Sequence, residues 1–262
     1  LFSSVLIQRV ECPFVFILGD LEEAGYFYHD LTQILGTEQV LFFPSSFRRA
    51  IKYGQKDAAN EILRTEVLSR LQKGEEGLCV VTYPDALAEK VVSRKELGDK
   101  TLKLHLGEKV DMDFVTEVLR SYSFEYVDYV YEPGQYAVRG SIIDVFSFSS
   151  EFPFRIDFFG DEVESIRTFE VESQLSKEKK ENIVIVPDLS HSLEQRGNGG
   201  MVSFLDFLQP DTLLAMKDFL WLRERIQTVH DEALTAQAIA AREAEENGLI
   251  SLDGKLIDGG EF

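Results

Sequence analysis

Two short stretches hold the residues of this chain best suited to act on another molecule. The first is the turn "ILGDLEEAG", where Asp20, Glu22 and Glu23 open a helix directly after a strand. A helix N-terminus concentrates unpaired amide donors and favours anions, so carboxylates of the chain stand where a bound anion would sit. The second is "VRGSIIDVFSFSSEFPFRIDFFGDE", residues 138 to 162. Arg139 and Arg155 are the only basic residues between Pro133 and Phe159. Guanidinium groups bond carboxylates bidentately, and an aromatic beside them is the composition of an interface hot spot.

Other chemistry finds little support. A phosphate-binding Gly-x-x-x-x-Gly-Lys-Ser/Thr loop is missing from the sequence, as is Gly-x-Ser-x-Gly. His29, His105, His191 and His230 are scattered without ligand spacing. Asp161 and Glu162 sit together in a turn, where carboxylates are far more often solvated than catalytic. Cys12 and Cys79 lie in apolar runs without CxxC spacing, so they read as small buried residues in a reducing cytoplasm. The expectation is a binding function without a catalytic, cofactor or metal site in these residues.

Composition narrows the partners. Lys+Arg 27 against Asp+Glu 46 gives a net charge of -19, so the average surface repels phosphate and disfavours a DNA-holding role. With 262 residues, 44% of them hydrophobic, the chain suits one large or two modest domains. No apolar run reaches the roughly 20 residues of a membrane span. The opening "LFSSVLIQRV" reads as the last turns of an amphipathic helix, and a fragment of something longer is expected.

The elements that must position these residues follow from periodicity. From Pro13 the order is strand "FVFIL", a helix with Leu21, Ala24, Tyr28, Leu31 and Leu35 on one stripe stopped by Gly36, strand "QVLFFPS", helix "DAANEILRTEVLSRLQKG" and strand "GLCVVTYPDAL". Such alternation predicts a parallel sheet covered by helices. Past Lys100 come a strand, a helix from Asp111 through Tyr122, a Pro133-Gly134 turn and short strands, an α+β insert. "FRIDFFGDEVESIRTF" reads as a hairpin closed by Gly160-Asp161 in a II′ turn. "SQLSKEKKENIV" reads as a charged loop before a strand toward Pro187, and "SLEQRGNGGMV" as a surface loop. "TLLAM" is a strand, followed by a helix from about Asp218 to Asn247, ended by Gly248. Its stripe of Leu222, Ile226, Val229, Ala233, Ala236 and Ala240 is expected to pack on its own domain.

Alternation assigns faces. In "FRIDFF", Phe154, Ile156 and Phe158 share the core face, and Arg155, Asp157 and Phe159 the other. Counted through "YAVRGSIIDVF", the same rule puts Val138, Ile142 and Phe146 on one side and Arg139, Ser141 and Ile143 on the other. Arg139, Arg155 and Phe159 then converge on one outward patch. The bland alternative pairs each arginine with a local carboxylate such as Asp144 or Asp157 and tucks Phe159 under a loop.

The ordered run "EPGQYAVRGSIIDVFSFSSEFPFRIDFFGDEVESIRTFEVESQLS" resembles the N-terminal region of the bacterial transcription-repair coupling factors, the Mfd family, itself similar to the excision-repair protein UvrB. "FFPSSFRRAIKYGQKDAANEILRTEVLSRL" and "CVVTYPDAL" extend the likeness over about residues 13 to 187. Ser141 and Ser147 depart from UvrB, where glycine and proline are common. The resemblance implies a helicase-like α/β layer domain, degenerate and similar to UvrB domain 1, formed by residues 1–99 and 187–262. Into it is inserted an α+β domain, 100–186, similar to UvrB domain 2, that binds UvrA. It carries UvrA contacts onto Arg139, Arg155 and Phe159. It also implies that the longer protein engages RNA polymerase and DNA through other domains, uses ATP and Mg in a translocase module, and can mask this surface with a C-terminal domain. The alternative is the first half of an active UvrB-type or helicase ATPase whose P-loop lies upstream of residue 1.

Overall fold

In the computed structural model, residues 12–46, 58–189, 200–243 and 256–262 are described. The expected helical turns at 1–10, most of the loop at 192–202, the side chains of Ala236 and Ala240, and the stop at Gly248 lie outside them. The chain begins with β1 (Phe14–Ile17), α1 (Leu21–Leu35), β2 (Val40–Phe42), α2 (Ala58–Lys73), β3 (Cys79–Thr82), α3 (Pro84–Leu87), β4 (Val91–Val92) and α4 (Arg94–Asp99). It continues through β5 (Leu102–His105), α5 (Met112–Ser121), β6 (Glu125–Tyr126), β7 (Gln135–Arg139), β8 (Ile142–Val145), β9 (Phe154–Phe159) and β10 (Glu162–Phe169). Last come β11 (Ser176–Lys179), β12 (Asn182–Ile185), β13 (Met201–Val202), α6 (Phe204–Phe207), β14 (Leu213–Met216) and α7 (Phe219–Glu243). The fold is mixed α/β, and it divides into two compact units: Leu1–Arg94 with Asn198–Phe262, and Lys95–Gly197.

The first unit holds a four-stranded sheet in the order β14-β1-β3-β2, with every neighbouring pair parallel. β1 and β3 are buried along their whole length, which is why both read as continuous apolar runs without alternation. Leu222, Ile226, Val229 and Ala233 of α7 are buried, and the helix packs on α3 within the same unit. At the carboxyl end of β1 the acidic turn closes on itself. Asp20 Oδ1 accepts from Glu23 N at 2.9 Å. Glu23 Oε2 accepts from Gly19 N at 2.7 Å, and its Oε1 accepts from Lys217 Nζ at 2.6 Å. The Lys217 bond, with the Gly19 amide second, holds the Glu23 carboxyl below its usual range.

The second unit is a six-stranded sheet in the order β11-β10-β9-β8-β7-β6, with a separate β12-β5 pair. All its neighbours are antiparallel except β6 and β7. One face packs Tyr136, Ile143, Val145, Phe154, Ile156, Phe158, Val163 and Ile166 against Val115 and Leu119 of α5 and Leu104, Ile183 and Ile185 of the β5-β12 pair. α5 starts where its cap requires: Asp111 accepts from Asp113 N, and Val115 and Leu119, four apart, are its buried positions. The other face carries a small core of Val130, Ala137, Phe146 and Phe169.

Two segments differ from their sequence readings. "PDAL", expected at the end of the strand "GLCVVTYPDAL", is the helix α3, with Pro84 in its first turn. "SKEK", expected within a charged loop, is the edge strand β11, exposed at all four positions. An edge strand with both faces in water buries nothing, so no apolar alternation marks it, and charge there discourages pairing with another chain.

Candidate protein-interaction face

The face is built by two hairpins of the second unit. Gly140-Ser141 joins β7 to β8, pairing Arg139 with Ile142, and Gly160-Asp161 joins β9 to β10, pairing Phe159 with Glu162. Gly140 and Gly160 have φ of +61° and +65°. Asp161 is not among the positive-φ residues, so the Gly160 turn has the pattern of type II′, in which only the first central residue needs the left-handed region.

The β9 alternation is as expected: Phe154, Ile156 and Phe158 are buried, while Phe159 is 78% exposed. In β7-β8 the expectation is corrected. Directly paired residues share a face, and a two-residue turn pairs 139 with 142 and 138 with 143. The core face therefore holds Tyr136, Val138, Ile143 and Val145, and the opposite face holds Ala137, Arg139, Ile142, Asp144 and Phe146. Parity counted straight through the turn reversed Ile142 and Ile143.

This register brings Arg139, Asp144 and Arg155 together. Asp144, directly opposite Arg155, has a fully buried side chain, against 37% exposure for Arg139 and 16% for Arg155. Arg155 Nε and Nη2 donate to Asp144 Oδ1 and Oδ2 at 2.7 and 2.9 Å, and Nη1 donates to Gln174 O at 3.1 Å. Arg139 Nη2 donates to Asp144 Oδ2. The Asp144 bond raises the Arg155 pKa further, against the opposing effect of burial. Both arginines of the expected outward patch are thus ion-paired to Asp144. A carboxylate stripped of water needs several charged donors to offset its desolvation, and both arginines supply them. The bland alternative holds for the cations but not for Phe159, which no loop covers.

An aromatic ring lies against each of the two guanidinium groups. Arg155 lies over Phe169 at 4.5 Å from the ring centre, and Arg139 over Tyr129 at 5.1 Å. Gln174, a non-glycine residue at φ +57°, ties this corner together. Its Nε2 donates to Val171 O at 2.7 Å and Val130 O at 3.3 Å, while its carbonyl receives Arg155. Further along the row, Arg155 faces Arg167, which faces Lys179. That line of cations was invisible in sequence because the strand register alone aligns residues 155, 167 and 179. Asp157 moderates it, lying 3.9 Å from Arg167 Nη2 and accepting from Ser141 Oγ at 3.0 Å. Phe159 borders a shallow depression of about 270 Å³ lined by Leu106, Gly107, Glu162, Val163 and Glu164. Among the described residues, no group of three or more His, Cys, Asp or Glu could hold a metal, and no helix is long and apolar enough to cross a membrane.

Residues 102–191 match the family of the UvrB interaction domain. The region around the face is therefore similar to a known protein-interaction module. Beyond it, the chain is similar to proteins named transcription-repair-coupling factor, 29% identical over 184 residues in Escherichia coli K12 and over 187 in Bacillus subtilis 168. These matches cover 70% and 71% of this chain but 16% of each relative. The Myxococcus xanthus protein of the same name is 29% identical over 68% of this chain and 15% of its own length. The chain thus spans about a sixth of the relatives it matches, and the resemblance carried by the signature from Pro133 onward holds.

Proposed function

We propose that residues 100–186 are a UvrA-docking domain, set into an α/β domain similar to UvrB domain 1 that residues 1–99 and 187–262 form. The observation that carries this reading is Phe159. It is a 78% exposed aromatic on the face that also holds Arg139, within the region matching the UvrB interaction domain. Leaving such a ring in water forgoes burial worth about 2 kcal/mol, which a partner's apolar socket recovers. Arg139 keeps its exposed edge for a carboxylate on UvrA. Arg155, its donors directed inward, acts by holding Asp144 and by adding positive charge, since two cations share one carboxylate.

In the longer protein this chain would be the N-terminal region of a transcription-repair coupling factor in the bacterial cytoplasm. It would recruit excision repair to a stalled RNA polymerase, while ATP- and Mg-dependent translocation on DNA belongs to other domains and a C-terminal domain masks the docking face. The region itself binds without turnover. Calorimetric titration of UvrA into the 262-residue chain tests this. Phe159→Ala is expected to weaken binding by at least about 30-fold, the lower limit for a hot-spot residue. Undiminished affinity in that variant would remove the reading.

A further inference from the structure

We infer that Tyr129 is a further contact residue of the docking face, extending it from the β9-β10 turn across Arg139 to the loop between β6 and β7. The inference rests on the docking reading above and names one more residue of the same surface. On a sheet with strands about 4.8 Å apart and a rise of about 3.3 Å per residue, Arg139 and Phe159 stand roughly 12 Å apart. Arg139 pairs with Ile142 and Ile142 with Asp157, two residues before Phe159. The Arg139 guanidinium covers one side of the Tyr129 ring, which remains 52% exposed.

A single exposed tyrosine is ordinary on any surface, but the chain that follows this one is anchored residue by residue. The next residue, Val130, is buried in the small core and its carbonyl receives Gln174 Nε2 at 3.3 Å. Beyond it, the amides of Tyr131 and Glu132 both donate to Gln135 Oε1, at 3.0 and 3.1 Å. The backbone that presents the ring is therefore fixed before any partner arrives, which lowers the ordering cost of binding. The Arg139 guanidinium is held between this ring and Asp144. Nη2 is turned to Asp144, and the Nε and Nη1 donors, which point to opposite sides of the group, are left to meet acceptors on a partner. The surface fits a partner region of UvrA with an acidic group beside an apolar socket, and with a flat group to cover Tyr129.

UvrA affinity of the 262-residue chain tests the inference in the wild type, Tyr129→Ala, Tyr129→Phe, Arg139→Ala, the 129/139 double alanine variant and Phe159→Ala. Tyr129→Ala is expected to weaken binding about 3- to 30-fold, the range of an aromatic-guanidinium contact as it becomes desolvated. Tyr129→Phe should stay within about 2-fold, and the thermal midpoint of Tyr129→Ala should stay unchanged because the ring is exposed. The double variant should lose less than the product of the single losses, since Tyr129 acts partly through Arg139. Loss of affinity in Phe159→Ala with full affinity in Tyr129→Ala overturns this inference alone. So do fully multiplicative losses at 129 and 139, or a Tyr129→Phe loss as large as that of Tyr129→Ala. Wild-type affinity in every variant overturns the docking reading as well.

Discussion

At the scale of single residues, Asp144 separates the contacts that hold the face together from those proposed to meet a partner. Its buried carboxylate is held by Arg139 and Arg155, and removing Arg155 takes away two of its three charged donors. Arg155→Ala is expected to lower unfolding stability by about 3 kcal/mol or more, the usual loss when one partner of a buried pair is removed, and a urea titration measures it. Phe159→Ala should leave the same curve in place, because that side chain buries little. The outward placement of Phe159 was legible from alternation within one strand. The capture of Arg155 was not, because a cross-strand carboxylate is invisible until the register is known. In the first unit, burial raises the Cys79 thiol from 9.0 to about 11 and the Tyr83 hydroxyl from 10.0 to about 12. Folding favours the neutral forms, so the unfolded chain releases these protons first. The stability they contribute is complete below pH 9 and is lost as pH rises from 9 to 12. The thermal midpoint should fall across that window, and less steeply in Cys79→Ala.

Elements explain why the fold was easier to read than the face. The strand-helix alternation of the first unit comes from long apolar runs and stripes, and the parallel order follows from it. In the second unit the decisive quantities are turn lengths and edges. Two residues between β7 and β8 set Asp144 on the outward face, and a straight count through the turn cannot know that. β11 shows the same limit, since its four exposed residues lack a buried face to announce a strand. Its charge has a use: replacing Lys177 and Lys179 with valine should promote self-association through the unpaired edge. Light scattering at rising concentration checks this, and an unchanged monomer fraction would count against a protective role for the edge charge.

For the whole molecule, the 95–197 unit has its own core, formed on both faces of one sheet. Expressed alone, it is expected to fold with a cooperative thermal transition and to keep the UvrA affinity of the full chain within about 3-fold; an unfolded product, or one without affinity, would show that the docking face needs the first unit. The net charge of -19 makes the cation row of Arg155, Arg167 and Lys179 the more distinctive, because it sets a positive strip on an acidic body. The acidic turn after β1 has a consequence of another kind. With Glu23 bonded to Gly19 N and Lys217, the start of α1 arrives with its own counter-anion, and equilibrium dialysis with ATP should find no saturable binding there. Should that dialysis find none, a corner arranged in this way serves as a bracket and not as an engine, moving only when pushed from outside.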